Sequence, residues 1–204
     1  NVPMRIENLE PHPKSFLGLT DAQTMLIIQG SGLNVQRGVE EAVLAMALIP
    51  NAVLFLVGDG DVMPSIKAMV KQMQLQERVR LVGRVPYHEL LKYTAAADLG
   101  LALDKPLSLN YALALPNKVF DYIQAGTPIV ASSLIEIETL VNKHNCGVII
   151  SEVTPQQIAE NINALIADPE RMAVYQSNCQ KAAESEHWDT DKQVLIELVR
   201  RVFV

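Results

Sequence analysis

Residues 25–58, MLIIQGSGLNVQRGVEEAVLAMALIPNAVLFLVG, decide how the rest of the chain is read. The apolar run at 25–29 stops at Gly30-Ser31-Gly32, and a second, AVLFLVG at 52–58, stops at Gly58-Asp59-Gly60-Asp61. Short apolar runs that end in glycines have the length and punctuation of fully buried strands. Between them Val39, Val43 and Met46 recur at helical spacing, with Glu40 and Glu41 on the opposite face. A strand, a helix and a strand in this order predict one crossover unit of a parallel sheet.

The pattern repeats outward from that unit. Residues 62–73 read as a helix, 79–83 (VRLVG) as a strand, 88–96 as a helix and 98–103 (DLGLAL) as a strand. A strand at 128–132 (PIVAS), a helix near 135–143 and a strand at 147–150 (GVII) follow. Strands alternating with helices predict an α/β fold, a mainly parallel sheet with helices on both faces. Thr154-Pro155 and Asp168-Pro169 each set a capping side chain before a proline suited to the first helical position, so two more helices begin there. A terminal helix starts near Trp188, with Val194, Leu195, Leu198, Val199 and Val202 on one apolar face that is expected to close this domain's own core. In an intact two-lobed protein such a face can instead cross to the other lobe.

Length and composition bound the function. A chain of 204 residues, about half of them apolar, supports one well-buried domain without disulfides or metal. A net charge of −6 leaves no broad basic field, so nucleic acid is not the expected partner, although a local cationic pocket can still hold a phosphorylated small molecule. Cys146 and Cys179 stand apart, with no CxxC and no histidines at ligand spacing, and read as free thiols of a reducing compartment. No apolar stretch reaches the roughly 18 residues of a membrane span and the start shows no signal-peptide pattern, so a soluble, cytoplasmic protein is expected.

In open parallel sheets ligands bind beyond the carboxyl ends of the strands, which directs attention to 30–38, 58–61, 83–87, 104–118 and 131–134. In GSGLNVQRG, 30–38, small residues leave backbone N–H groups accessible, and Arg37 and Gly38 precede a helix. That set suits a diphosphate, and it equally describes a glycine-rich turn with an exposed arginine. Val35 occupies the place of the third glycine of a dinucleotide fingerprint, which removes most support for NAD. Asp61 is a natural cap for the following helix. Gly83, Arg84 and Val85 can meet the edge of a nucleobase through their backbone or form a plain strand-to-helix turn. The densest polar cluster lies in YALALPNKVFDYIQAGTPIVAS, 111–132, with the adjoining Asn110. Asn110, Tyr111, Asn117, Lys118, Asp121 and Tyr122 stand there among apolar residues. With a helix beginning near Pro116, Lys118 and Asp121 face one side, either as a cation for phosphate and a carboxylate for sugar hydroxyls or as a surface ion pair.

The succession Gly30…Arg37-Gly38, VGDGD, LVGRVP, LPNKVFDYIQAGTPIVAS and a final HWD resembles the carboxyl-terminal, donor-binding half of GT-B glycosyltransferases of the retaining family 4, or group 1, type, from about Met25 onward. The resemblance implies a Rossmann-like domain over 21–204, preceded at 1–20 by the remnant of an interdomain linker. It implies a sugar moved from a nucleotide diphosphate sugar to a glycan or lipid-linked acceptor on a missing amino-terminal domain, without cofactor or metal. Peripheral membrane contact of the full-length protein is left open. Arg37 and Lys118 would carry catalysis by stabilising the leaving diphosphate. Gly30, Ser31, Gly38, Gly83, Arg84, Val85, Asn110, Tyr111, Pro116, Asn117, Asp121 and Tyr122 would hold the donor, with Asp121 on the ribose. Two positions depart from the pattern: Leu113 replaces the first motif glutamate, and Ser31 replaces a second basic residue. The alternatives are a non-catalytic nucleotide-sugar-binding module, or one half of a nucleotide-sugar epimerase, which would need catalytic carboxylates and a histidine that the sequence does not place.

Overall fold

A computed structural model describes residues 3–6, 8–106 and 113–203. Six strands, β1 (Thr24–Gly30), β2 (Ala52–Gly58), β3 (Val79–Gly83), β4 (Leu99–Ala102), β5 (Ile129–Ser132) and β6 (Gly147–Ile150), form one sheet in the order β3-β2-β1-β4-β5-β6. Every pairing is parallel, and Gly30 stands opposite Gly58 at the end of the β1–β2 register. The helices are α1 (Val39–Ala45), α2 (Met63–Gln72), α3 (Tyr87–Ala96), α4 (Asn117–Ala125), α5 (Ile135–His144), α6 (Pro155–Ile166), α7 (Pro169–Ala183) and α8 (Trp188–Phe203), and a 3-10 turn at Met46–Leu48 extends α1. The expected parallel α/β architecture is present, and the crossover unit read from 25–58 is its centre.

Strand side chains alternate between two faces, so each strand feeds two cores. Leu26, Ile28, Leu54, Leu56, Leu99 and Leu101 point toward α1, α2 and α6, while Met25, Ile27, Val53, Phe55, Ile129 and Ala131 point toward α3, α4, α5 and α7. All seven residues of β2 are buried, as a strand covered on both faces requires. Thr154 and Asp168 cap α6 and α7 as the sequence predicts, accepting the N–H of Gln157 at 3.3 Å and of Arg171 at 3.0 Å.

Two expectations about the packing need restating. Asp61 does not cap α2, whose N-cap is Val62; its carboxylate instead accepts the Val35 N–H at 2.9 Å and ties the loop after β1 to the loop after β2. The terminal helix does not close the core: Leu195, Leu198 and Val199 on its apolar face are about half exposed. Both sheet faces are already covered by the preceding helices. Residues 12–19, within the stretch read as linker, pack on this domain. Leu17 and Leu19 join the core, Lys14 pairs with Asp98 at 3.1 Å, and the His12 ring stacks on Phe16 and meets the edge of Tyr93.

The strand order reverses between β1 and β4, and the segments leaving their carboxyl ends diverge into a crevice. The β1 loop is fixed on both sides. Leu33 N–H donates to the Asp59 carbonyl at 2.9 Å on one side, and Lys105 N–H donates to the Gln36 carbonyl at 3.0 Å on the other.

Candidate functional site

The crevice at the switch point is a cavity of about 600 Å³. The β1 loop contributes Gly30, Ser31, Gly32, Asn34 and Arg37 to its wall, and the start of α4 contributes Pro116, Asn117, Lys118 and Asp121. Tyr87 and Leu90 of α3, Gln29 at the end of β1 and Pro3 complete it. Segments far apart in sequence meet here because β1 and β4 are neighbours at the centre of the sheet.

The cationic side of the cavity is built around a carboxylate that lies outside its lining. Asp104, two residues beyond β4, is fully buried. It forms ion pairs with Arg37 on one oxygen and, at 2.8 Å, with the Lys118 ammonium on the other. Burial opposes ionisation of Asp104, but Lys118 and Arg37 outweigh it and hold the carboxyl below the usual carboxylate range. Gly38 follows Arg37 with φ +72°, and a Cβ there would lie 2.4 Å from both the Cβ and the carbonyl oxygen of Leu103. Only glycine lets the β1 loop turn into α1 so close to the end of β4. The seven-residue α1 carries Glu40 and Glu41 in its first turn, so positive charge on this side comes from Arg37 rather than from the helix end.

The opposite side is organised by Asp121. Gln29 Nε2 donates to one of its oxygens at 2.9 Å and the Tyr87 hydroxyl to the other at 2.8 Å. Burial raises the Asp121 pKa against the two hydrogen bonds, and burial followed by the Asp121 charge raises that of Tyr87. The Thr94 hydroxyl holds Gln29 from behind through its Oε1, and Thr127 Oγ1 donates to the Thr94 carbonyl at 2.7 Å. A carboxylate has about four lone-pair sites, so two donors leave Asp121 able to accept from a ligand as well.

The expected site residues divide accordingly. Gly30, Ser31, Arg37, Pro116, Asn117, Lys118 and Asp121 converge on the cavity. Lys118 and Asp121 do not form the surface ion pair their spacing allows; each has other partners. Tyr122 is a correction: it is fully buried on the far side of α4, its ring fills the space a Cβ on Gly100 would need, and its hydroxyl lies 3.1 Å from the Leu101 carbonyl. Gly83, Arg84 and Val85 do not line the cavity, and Arg84 reaches Asp59 on the surface at 3.6 Å. Asn110 and Tyr111 lie outside the described residues. Leu113 is half exposed. Sequence reading missed Asp104, Gln29 and Tyr87. The available signals were an aspartate closing an apolar strand and a glutamine interrupting one just before its glycine turn.

Among the described residues no group of three or more His, Cys, Asp or Glu is placed to hold a metal, and no helix is long and apolar enough to cross a membrane. Cys146 and Cys179 are free and buried. A cavity with two cations on one wall and a carboxylate on the other offers complementary partners for a diphosphate and a hydroxyl-bearing group.

Residues 18–182 match the family model described as glycosyl transferases group 1. D-inositol 3-phosphate glycosyltransferase of Thermobispora bispora is 28% identical over 142 residues, covering 69% of this chain and 32% of that protein. Lipopolysaccharide glucosyltransferase WaaG of Escherichia coli is 28% identical over 164 residues, covering 76% of this chain and 41% of its own length. The chain thus spans well under half the length of these curated relatives. Sucrose-phosphate synthase from Thermosynechococcus elongatus superposes with a TM-score of 0.79 at 22% identity, over 99% of this chain and 52% of that one. Anabaena Alr3699/HepE, solved in complex with UDP, does so with a TM-score of 0.77 at 21% identity, over 92% and 51%. With most of its length inside the family model and its fold matching about half of each larger chain, the chain belongs to the group 1 glycosyl transferases.

Proposed function

We propose that this chain is the donor-binding half of a retaining glycosyltransferase that moves a sugar from a nucleotide diphosphate sugar to an acceptor held by a separate amino-terminal domain. The observation that carries the proposal is the convergence of Arg37, Lys118 and Asp121 on one cavity at the switch point of the sheet. In this reading Arg37 and Lys118 hold the diphosphate, Asp121 accepts from the ribose hydroxyls, and Asn117 and Ser31 supply neutral polar groups along the wall. As the bond between sugar and diphosphate breaks, negative charge grows on the leaving phosphate, and the two cations with the first N–H groups of α4 stabilise it. A diphosphate oxygen takes the acceptor's proton, so no side-chain nucleophile and no metal are required. That HepE was solved with UDP and with UDP-glucose supports a nucleotide-sugar donor and makes UDP the first probe.

A non-catalytic nucleotide-sugar-binding module is the second reading, favoured by the apolar, half-exposed Leu113 on the segment entering the cavity. The discriminating experiment assays transfer by the full-length protein across a panel of UDP, GDP and ADP sugars, beside residues 1–204 alone. Transfer by the full-length protein with none by residues 1–204 is the expected result, because lobe closure is what orders the reactants and excludes water. Binding without transfer by the full-length protein supports the module; robust transfer by residues 1–204 overturns the half-enzyme reading.

A further inference from the structure

Arg37 and Lys118 both line the cavity, yet both ion-pair with a carboxylate that does not line it. Asp104 is fully buried behind them, one oxygen on each cation, and its backbone is fixed as well: the Ser132 hydroxyl donates to the Asp104 carbonyl at 2.6 Å. Lys118 is itself nine-tenths buried, so its ammonium cannot swing into solvent to find another anion. A structural salt bridge needs one cation; here one anion is shared between two that face a common space.

We infer that Asp104 is a resident counter-ion of the diphosphate site, a positioning residue that holds Arg37 and Lys118 side by side and competes with the ligand's phosphates for their charge. The inference rests on the donor reading given above and goes beyond it by assigning how tightly the site grips. Two adjacent cations without an anion repel each other at close range in a poorly solvated wall, and Asp104 removes that repulsion. The same unit of negative charge weakens the attraction a diphosphate feels. The other ionisable groups around the pair are Asp121 across the cavity, which its burial and its hydrogen bonds from Tyr87 and Gln29 govern, and the buried Tyr122 hydroxyl, which feels the charges of Asp121 and Asp104. The neighbouring Lys105 is already paired with Glu41. Asp104 therefore sets a moderate affinity for the diphosphate, which favours release of the nucleoside diphosphate after transfer.

The test titrates inorganic pyrophosphate and UDP into the 204-residue chain by calorimetry at several salt concentrations, for wild type, Asp104→Asn and Asp104→Glu, with a melting curve for each with and without pyrophosphate. Asp104→Asn is expected to melt lower without ligand. It should bind pyrophosphate at least about fivefold more tightly at low salt, with a steeper loss of affinity as salt rises. Asp104→Glu, which keeps the charge, should restore the wild-type salt dependence. A residue that merely supports the fold would weaken binding when replaced, so equal or weaker pyrophosphate binding by Asp104→Asn overturns the inference. So does a variant that saturating pyrophosphate cannot stabilise. Wild type that binds neither pyrophosphate nor UDP overturns the donor reading, and this inference with it; wild type that binds while Asp104→Asn shows the same affinity and salt dependence overturns the inference alone.

Discussion

Replacing Gly38 by alanine probes the joint between the two segments that carry the cationic wall. Gly38 follows Arg37, and the Leu103 atoms its Cβ would strike precede Asp104. Two costs arise. An L-residue at φ +72° is strained by about 1–2 kcal/mol. Contacts of 2.4 Å to the Leu103 Cβ and to its carbonyl oxygen force β4 and α1 apart, an overpacking cost of about 1–3 kcal/mol. The sum is about 2–5 kcal/mol, a large fraction of the roughly 5–15 kcal/mol that stabilises an ordinary domain. Gly18 separates the terms: its φ is +68° but nothing lies within 4 Å of the added Cβ, so Gly18→Ala should cost only the strain. Urea denaturation with a common slope gives both values, and their difference is the clash. Because the clash pushes apart the residues next to Arg37 and Asp104, Gly38→Ala should also weaken pyrophosphate binding, whereas Gly18→Ala should not. Equal stability of the two variants would refute the claimed approach of α1 to β4.

Arg37→Ala in the full-length protein should lower turnover by roughly 10²-fold, the scale of removing one preorganised partner of developing charge, and unchanged turnover removes Arg37 from the site. Tyr122→Phe should cost about 1 kcal/mol in chemical denaturation, because a buried carbonyl loses its donor, while UDP affinity stays at the wild-type value; lost affinity would return Tyr122 to the site. Asp121 gives a pH prediction. Burial raises its pKa in the folded state, so the fold is favoured below the unfolded value of about 3.9 and loses stability as pH rises through the folded value. Asp121→Asn removes that decline and should be at least as stable as wild type at pH 7 while binding UDP more weakly. Stability-versus-pH curves decide it, and a clear loss of stability at pH 7 contradicts the sign.

The fold was legible because the strands are mostly apolar and are stopped by glycine or a polar residue; 52–58 and 79–83 match β2 and β3 residue for residue. The helices after Thr154 and Asp168 were equally legible, since a cap and a proline act locally. What failed depends on distance in space. Asp61 satisfies the local rule for a cap but finds the Val35 N–H on the loop after β1. The face of α8 has the period of a core helix, yet periodicity cannot show that both sheet faces are already covered. At the site, Lys118 and Asp121 were visible as polar groups at the mouth of a helix. Their partners were not: Gln29, Tyr87 and Asp104 come from β1, α3 and the segment after β4, and only the switch point of the sheet brings them together. Tyr122 was grouped with its neighbour Asp121, although adjacent residues on a helix face different directions, and here one looks into the cavity and the other into the core.

The central claim is that this cavity binds the diphosphate of a nucleotide sugar through Arg37 and Lys118. Thermal unfolding of the 204-residue chain against a panel of UDP, GDP and ADP sugars, run beside Lys118→Met, tests it most directly. A ligand present at a hundred times its dissociation constant stabilises the fold by about 2.7 kcal/mol, a rise in melting temperature of roughly 5–11 °C for a domain of this size. One nucleotide class should produce that rise in wild type and little or none in Lys118→Met. No rise with any nucleotide sugar, or an equal rise in both proteins, would contradict the account.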